Sequence, residues 1–144
     1  MIDGVVNSNA IPALERSMQF AGARHRVIAN NIANFDTPGF RPRDVSVDAF
    51  QKRLGEAIDE RREVHGHSGG DLELKDSRQV EFHENGMDLK ARPVGENILF
   101  HDGNDRNLER TMQDLVENFL AFRTSARFLR SRFSLLNAAI SERV

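Results

Sequence analysis

The stretch that decides the fold is LERTMQDLVENFLAFRTSARFLRSRFSLLNAAI, residues 108–140. Its apolar residues recur at steps of four and three, and neither Gly nor Pro interrupts the chain between Asn104 and Val144. This spacing is typical of a helix with a coiled-coil seam. At ~1.5 Å per residue the helix would be roughly 50 Å long. The predicted seam contains Leu108, Met112, Leu115, Phe119, Phe122, Ala126, Leu129, Phe133, Leu136 and Ile140.

This helix carries more apolar residues than one partner helix can cover. Leu120 and Phe128 lie off the seam, together with Val116 and Leu135. A helix pair buries one stripe on each partner, so further apolar positions need further neighbours. We therefore expect Leu120 and Phe128 to contact other subunits. Four arginines also follow in the second half of the helix, and we interpret them as a solvated or salt-bridging face rather than a phosphate site: Arg123, Arg127, Arg130 and Arg132.

A second seam begins the chain and predicts a partner for this helix. Its positions also alternate three and four residues apart: Ile11, Leu14, Met18, Ala21, His25, Ile28, Ile32 and Phe35. Ser8 or Asn9 would cap its start. Thr37 precedes Pro38 and is disfavoured in the α region, so the helix should end near Asn34 or Phe35. Pro38-Gly39 fits the central pair of a type II turn.

Three asparagines near the end of the first helix need an explanation. Asn30, Asn31 and Asn34 are poor helix formers. Asn34 could cap the helix end. Alternatively, the amides could hydrogen-bond the following turn or neighbouring chains. The spacing alone does not distinguish these interpretations.

Charge divides the 144-residue chain into three segments. The formal net charge is +2 over residues 1–43, −6 over residues 44–104 and +2 over residues 105–144. The middle predicts a short helix at 49–62, a glycine-containing loop at 64–70, and β-like patches at 79–82 and 97–100. We predict a mainly α fold: long N- and C-terminal helices form an antiparallel coiled-coil-like pair, and the middle segment is short, irregular and partly β.

Composition and motifs favour a structural protein over an enzyme. The overall net charge of −2 gives no reason to expect nucleic-acid binding, and no apolar run approaches the ~20 residues of a membrane span. Cysteine is absent, and His65 and His67 lack further ligands for a metal. No nucleotide-binding or hydrolase motif occurs. We expect no catalytic residue, no cofactor and no metal. The N-terminus lacks the pattern of a cleaved signal peptide.

One segment resembles a known family. Residues 27–41, VIANNIANFDTPGFR, are similar to the N-terminal signature of bacterial flagellar rod and hook proteins. That signature joins an NIAN segment, here Asn31, Ile32, Ala33 and Asn34, to a TPGF turn, here Thr37, Pro38, Gly39 and Phe40. The C-terminal helix resembles that of proximal rod subunits, especially at Leu136 to Ile140. The short length agrees with a proximal subunit rather than the longer distal-rod or hook subunits.

The resemblance implies a structural subunit of the flagellar basal body rod, the shaft that carries torque through the periplasm. It implies export by the flagellar type III apparatus without a cleaved signal. Expected partners are copies of the chain itself, other rod proteins of the FlgC, FlgF and FlgG kinds, and a FliE-like junction protein at the MS ring. A FlgC-like subunit and a free-standing helical adaptor are the alternatives.

Overall fold

The computed structural model describes residues 10–65, 72–83, 86–94 and 108–141. Within them the elements are α1 (Ala10–Ala33), β1 (Arg43–Asp44), α2 (Val47–His65), β2 (Val80–His83), β3 (Gly86–Leu89), β4 (Arg92–Pro93) and α3 (Leu108–Ser141). The predicted mainly α fold, with long terminal helices around a short β-containing middle, is confirmed. The possible caps at Ser8 and Asn9, the loop containing His67 and the patch at 97–100 lie outside the described residues.

α1 and α3 run antiparallel, as predicted. Ala21 lies beside Asn118 and Arg24 lies beside Asp114, so residue numbers rise along one helix as they fall along the other. In this register the described start of α1, Ala10, lies near Leu129. The last three or so turns of α3 therefore extend beyond it.

α1 ends in the turn that the Pro38-Gly39 pair predicts. The Phe40 N–H donates to the Thr37 carbonyl at 3.1 Å, and Gly39 has a φ of +74°. A hydrogen bond across four residues with a positive φ at the third is the geometry of a type II turn. Gly39 occupies the position where a residue with a Cβ would be strained. The turn directs the chain from α1 into β1.

α2 extends beyond both ends of the helix predicted at 49–62. Ser46 caps it, because the Ser46 hydroxyl accepts a hydrogen bond from the Ala49 N–H at 3.1 Å. Phe50 faces α1, where its ring stacks on Phe20 with the centroids 4.0 Å apart. This aromatic pair attaches α2 to the middle of α1.

The strands form two separate antiparallel pairs. β1 pairs with β4, and β2 pairs with β3 in a hairpin whose register joins Val80 to Leu89. Two-stranded sheets are marginal alone, so burial against a helix is needed. Val80 and Met87 supply it, because they join Phe20, Val45 and Phe50 in the buried cluster. This cluster is the hydrophobic core, and it lies on the side of α1 that faces the middle segment.

Arg16 of α1 binds the β2–β3 hairpin through hydrogen bonds. Its guanidinium donates to the backbone carbonyls of His83 and Gly86, at 3.2 and 3.1 Å. Both carbonyls lie where the hairpin turns, so one side chain holds the end of β2 and the start of β3. α1 is consequently the central element, with α3 along one side and the middle segment along another.

Candidate assembly surface

α3 contacts α1 along a line that differs from the predicted seam. Its buried and half-buried residues repeat at helical spacing. Those opposite the described part of α1 are Thr111, Asp114, Leu115, Asn118, Ser125, Ala126 and Leu129, and Arg132, Leu136 and Ala139 continue the repeat beyond it. Four of these belong to the predicted seam, namely Leu115, Ala126, Leu129 and Leu136. The two residues that α3 buries fully are polar, Asn118 and Ser125.

The other predicted seam positions are exposed in the single chain, although the Phe122 ring lies beside Gly22 of α1. Phe119 is 50% exposed and Ile140 is 68% exposed, while Leu108, Met112, Phe122 and Phe133 are also exposed. The physical reason is that α1 meets only one edge of a wide apolar stripe. At that edge the small residues Ala21 and Ser125 are buried, and the Asn118 amide donates to the Ala21 carbonyl at 2.8 Å.

Most of the solvent-exposed large apolar side chains lie on α3. Among the described residues, the large hydrophobic side chains that are exposed lie on this helix, with the single exception of Val64 on α2. Leu120 and Phe128, expected to lie off the seam, are 54% and 56% exposed. Scattered exposed apolar residues are ordinary, whereas ten on a single helix indicate an interaction surface. We call this set the α3 apolar face: Leu108, Met112, Val116, Phe119, Leu120, Phe122, Phe128, Phe133, Leu135 and Ile140.

A buried ion network fixes the position of α3. The Arg24 Nε donates to Asp44 Oδ1 at 2.9 Å. Its Nη2 donates to Asp44 Oδ2 at 2.5 Å and to Asp114 Oδ1 at 3.4 Å. Arg24 is only 6% exposed, so α1, β1 and α3 meet at one buried cation. The hydrogen bond to Asp44 raises the pKa of Arg24 above its usual value, although burial opposes that shift. The guanidinium therefore stays charged at neutral pH.

The signature asparagines act within the chain. The Asn31 amide donates to the Arg43 carbonyl at 2.7 Å, and its oxygen accepts from the Arg43 N–H at 3.0 Å. Asn34 donates to the Asn30 carbonyl at 2.9 Å and accepts from the Thr37 hydroxyl at 3.4 Å. Asn31 thus binds β1, and Asn34 closes the helix end, in agreement with the interpretation as a cap and a turn contact.

The remaining signature residues differ in how far they are buried. Ile32 and Phe40 are half-buried, whereas Asn30, Ala33, Thr37, Pro38 and Gly39 are exposed. His25, which interrupts the predicted seam, is exposed. The signature therefore connects the end of α1 to β1 through Asn31 and leaves an exposed turn beside it.

Sequence reasoning missed the buried polar residues. Arg24, Asp44, Asp114 and Asn118 were not singled out, because a search for apolar spacing passes over them. One signal was present: Arg24 lies four residues from both Phe20 and Ile28, which are buried on α1. An arginine at such a position needs an acidic partner, and Asp44 and Asp114 are those partners.

The described residues were compared with the requirements of a metal site and of a membrane-spanning helix. No group of three or more His, Asp or Glu side chains is arranged to hold a metal ion there. No helix among those described combines the length and the hydropathy required to cross a bilayer. His65 and His67, considered above as metal ligands, lie outside the described side chains.

The sequence of this chain is similar to those of known flagellar proteins. The family described as "Flagella basal body rod protein" matches residues 18–41, which cover most of α1 and the type II turn. Over most of its length the chain is similar to several curated proteins. It is 24% identical over 134 residues to one from Bacillus subtilis, covering 93% of this chain and 95% of the relative. It is 27% identical over 132 residues to one from Aquifex aeolicus, covering 90% of each.

The chain is therefore similar to flagellar basal body rod proteins, through the signature segment and over most of its length. The two relatives just described are both named flagellar basal body rod protein FlgB, as is a Yersinia ruckeri protein that is 28% identical over 118 residues, 80% of this chain and 81% of the relative. The match extends through the middle segment and α3 as well as the signature. These similarities support a structural subunit of the flagellar basal body rod.

Proposed function

We propose that the chain is a proximal rod subunit that polymerises through the α3 apolar face. The proposal rests on which side chains α3 buries. The polar residues Asn118 and Ser125 are buried, whereas the large apolar residues Phe119 and Phe128 stay about half exposed. Fully burying a large apolar side chain contributes roughly 1.5–3 kcal/mol. An assembly that covers the α3 apolar face gains this stabilisation many times, whereas the single chain does not.

The proposed location and partners follow from the family. The subunit occupies the periplasmic rod and reaches it through the flagellar type III export apparatus. Its neighbours are copies of itself, rod subunits of the FlgC, FlgF and FlgG kinds, and a FliE-like junction protein at the MS ring. Its role is mechanical, and it carries out no catalysis. The isolated chain should be largely monomeric, because assembly alone covers the α3 apolar face.

Single substitutions on the α3 apolar face test this function. Leu120→Glu or Phe128→Glu should leave the helix content of the purified monomer nearly unchanged, because both residues are half-exposed there. In the rod, an unpaired buried carboxylate is costly, so assembly and motility should fail. The matched control is Ala49→Glu, which places the same carboxylate at an exposed position of α2.

The measurements are circular dichroism of each monomer, swimming of cells that carry each variant, and the amount of chain in detergent-extracted basal bodies. The wild-type chain and Ala49→Glu should be present in the basal bodies, and Phe128→Glu should be absent. Normal swimming with Phe128→Glu would contradict the proposed surface. Absence of the wild-type chain from basal bodies would contradict the proposed function as a whole.

A further inference from the structure

α2 and α3 border an open cleft that the single chain does not fill. Its volume is about 650 Å³, within the range of pockets that receive a group of side chains. Phe20 and Ala21 of α1 lie along it, Phe50 and Leu54 line the α2 side, and Leu120 lines the α3 side. The cleft therefore combines apolar side chains from three helices with an opening to solvent, which suits the apolar face of a further helix.

The rim of this cleft is acidic. Asp48 on α2 and Glu117 on α3 are exposed along it, and Asp114 lies beside them. The cation in the cleft, Arg24, is already engaged by Asp44 and Asp114. An occupant should accordingly present basic side chains around apolar ones.

The second half of α3 has that chemistry. Residues 118–141 contain four arginines and no acidic residue, whereas residues 108–117 contain three acids and one arginine. Phe128 is 56% exposed, and Leu135 follows it after two helical turns, so both lie on one side of the helix. Arg132 lies between them on that side, four residues after Phe128 and three before Leu135, and Arg127 is exposed beside Phe128. We call Arg127, Phe128, Arg132 and Leu135 the basic ridge.

We propose that the basic ridge of one copy of this chain binds in the acidic cleft between α2 and α3 of a second copy. This inference rests on the proposed function and names the contact through which like subunits join. Within one chain the two surfaces cannot meet, because both belong to the same continuous helix. Since cleft and ridge are different surfaces, the contact can repeat from copy to copy, as a rod requires.

Charge reversal tests the pairing. Asp48→Lys with Glu117→Lys reverses the rim, and Arg127→Glu with Arg132→Glu reverses the ridge. Asp114 is left unchanged because it binds Arg24. Each double variant should reduce the chain found in extracted basal bodies at least tenfold, and the quadruple variant should recover most of the loss. Asp59→Lys with Glu63→Lys is the control, since it makes the same charge change on exposed positions of α2 outside the cleft.

A milder rim variant, Asp48→Asn with Glu117→Gln, guards against a folding defect and should lower incorporation by a smaller factor. Circular dichroism and the urea midpoint of each monomer should match the wild type. Wild-type incorporation of either reversed variant would overturn the proposal. Loss with both double variants and no recovery in the quadruple variant would also overturn it, because the occupant would then be a different protein. In each of these outcomes the wild-type chain still enters the basal body, which separates them from failure of the proposed function.

Discussion

The Asn31 side chain pairs with the backbone of the segment that follows the turn. Its amide group makes two hydrogen bonds to Arg43, as a neighbouring strand would. It is 7% exposed, so water cannot replace these bonds. The sequence indicated that three asparagines in a helix needed a reason, and the contact with the segment after the turn is that reason for Asn31.

Asn31→Ala should lower the free energy of unfolding by about 1–2 kcal/mol, because it removes two part-buried hydrogen bonds to the backbone N–H and C=O of Arg43. Asn30→Ala is the matched control. It removes the same side chain from the same helix at an exposed position, and should change stability by less than about 0.5 kcal/mol. Urea unfolding of the purified monomer measures both. Equal effects would show that Asn31 contributes only its helix propensity.

At the scale of the helix, the sequence predicted the repeat of α3 correctly and its contact edge incorrectly. Leu115 and Leu129 lie on the contact line, as expected. Phe119 does not, because the stripe of apolar residues is wider than α1 and the pattern does not indicate which edge α1 meets. The deciding groups are polar: Asn118 bonds the Ala21 carbonyl, and Asp114 bonds Arg24. Apolar periodicity carries no information about such pairs.

Leu115→Ala and Phe119→Ala separate the two edges of α3. Leu115 is half-buried on the contact line, so its truncation should destabilise the monomer by about 1–3 kcal/mol. Phe119 is 50% exposed, so its truncation should cost the monomer less than about 1 kcal/mol, although it loses more atoms. Thermal or urea unfolding at low protein concentration compares them. A larger loss for Phe119→Ala would restore the originally predicted seam.

For the whole molecule, local contacts were more predictable from sequence than distant ones. The type II turn depends on neighbouring residues, Thr37 to Phe40, and was predicted correctly. The attachment of the hairpin by Arg16 joins residues about 70 positions apart, and no local pattern indicates it. The fold class followed from two matching seams, whereas the assembly surface became visible only when the structure showed which apolar residues α1 leaves uncovered.

Hydrogen exchange should reveal a gradient of stability across the monomer. Protection should be highest near Ile28 and Asn118, where α1 and α3 bury residues against each other. It should be weak over residues 127–141, because most side chains of this segment are exposed. Mass spectrometry of the exchanging monomer resolves these segments. Uniform protection along α3 would mean that the chain completes its own core without assembly.

The hydrogen bond from Asn118 to Ala21 has a mechanical consequence. A shift of α3 along α1 by seven residues, about 10 Å, would place Leu136 near the former site of Leu129 and Phe122 near that of Leu115, since these four residues share one heptad frame. Apolar packing alone would barely resist such slippage. The shift would, however, separate the Asn118 amide from its carbonyl and Asp114 from Arg24. These two polar contacts thus oppose sliding of the helices past each other, the deformation that the proposed role in a loaded shaft would impose.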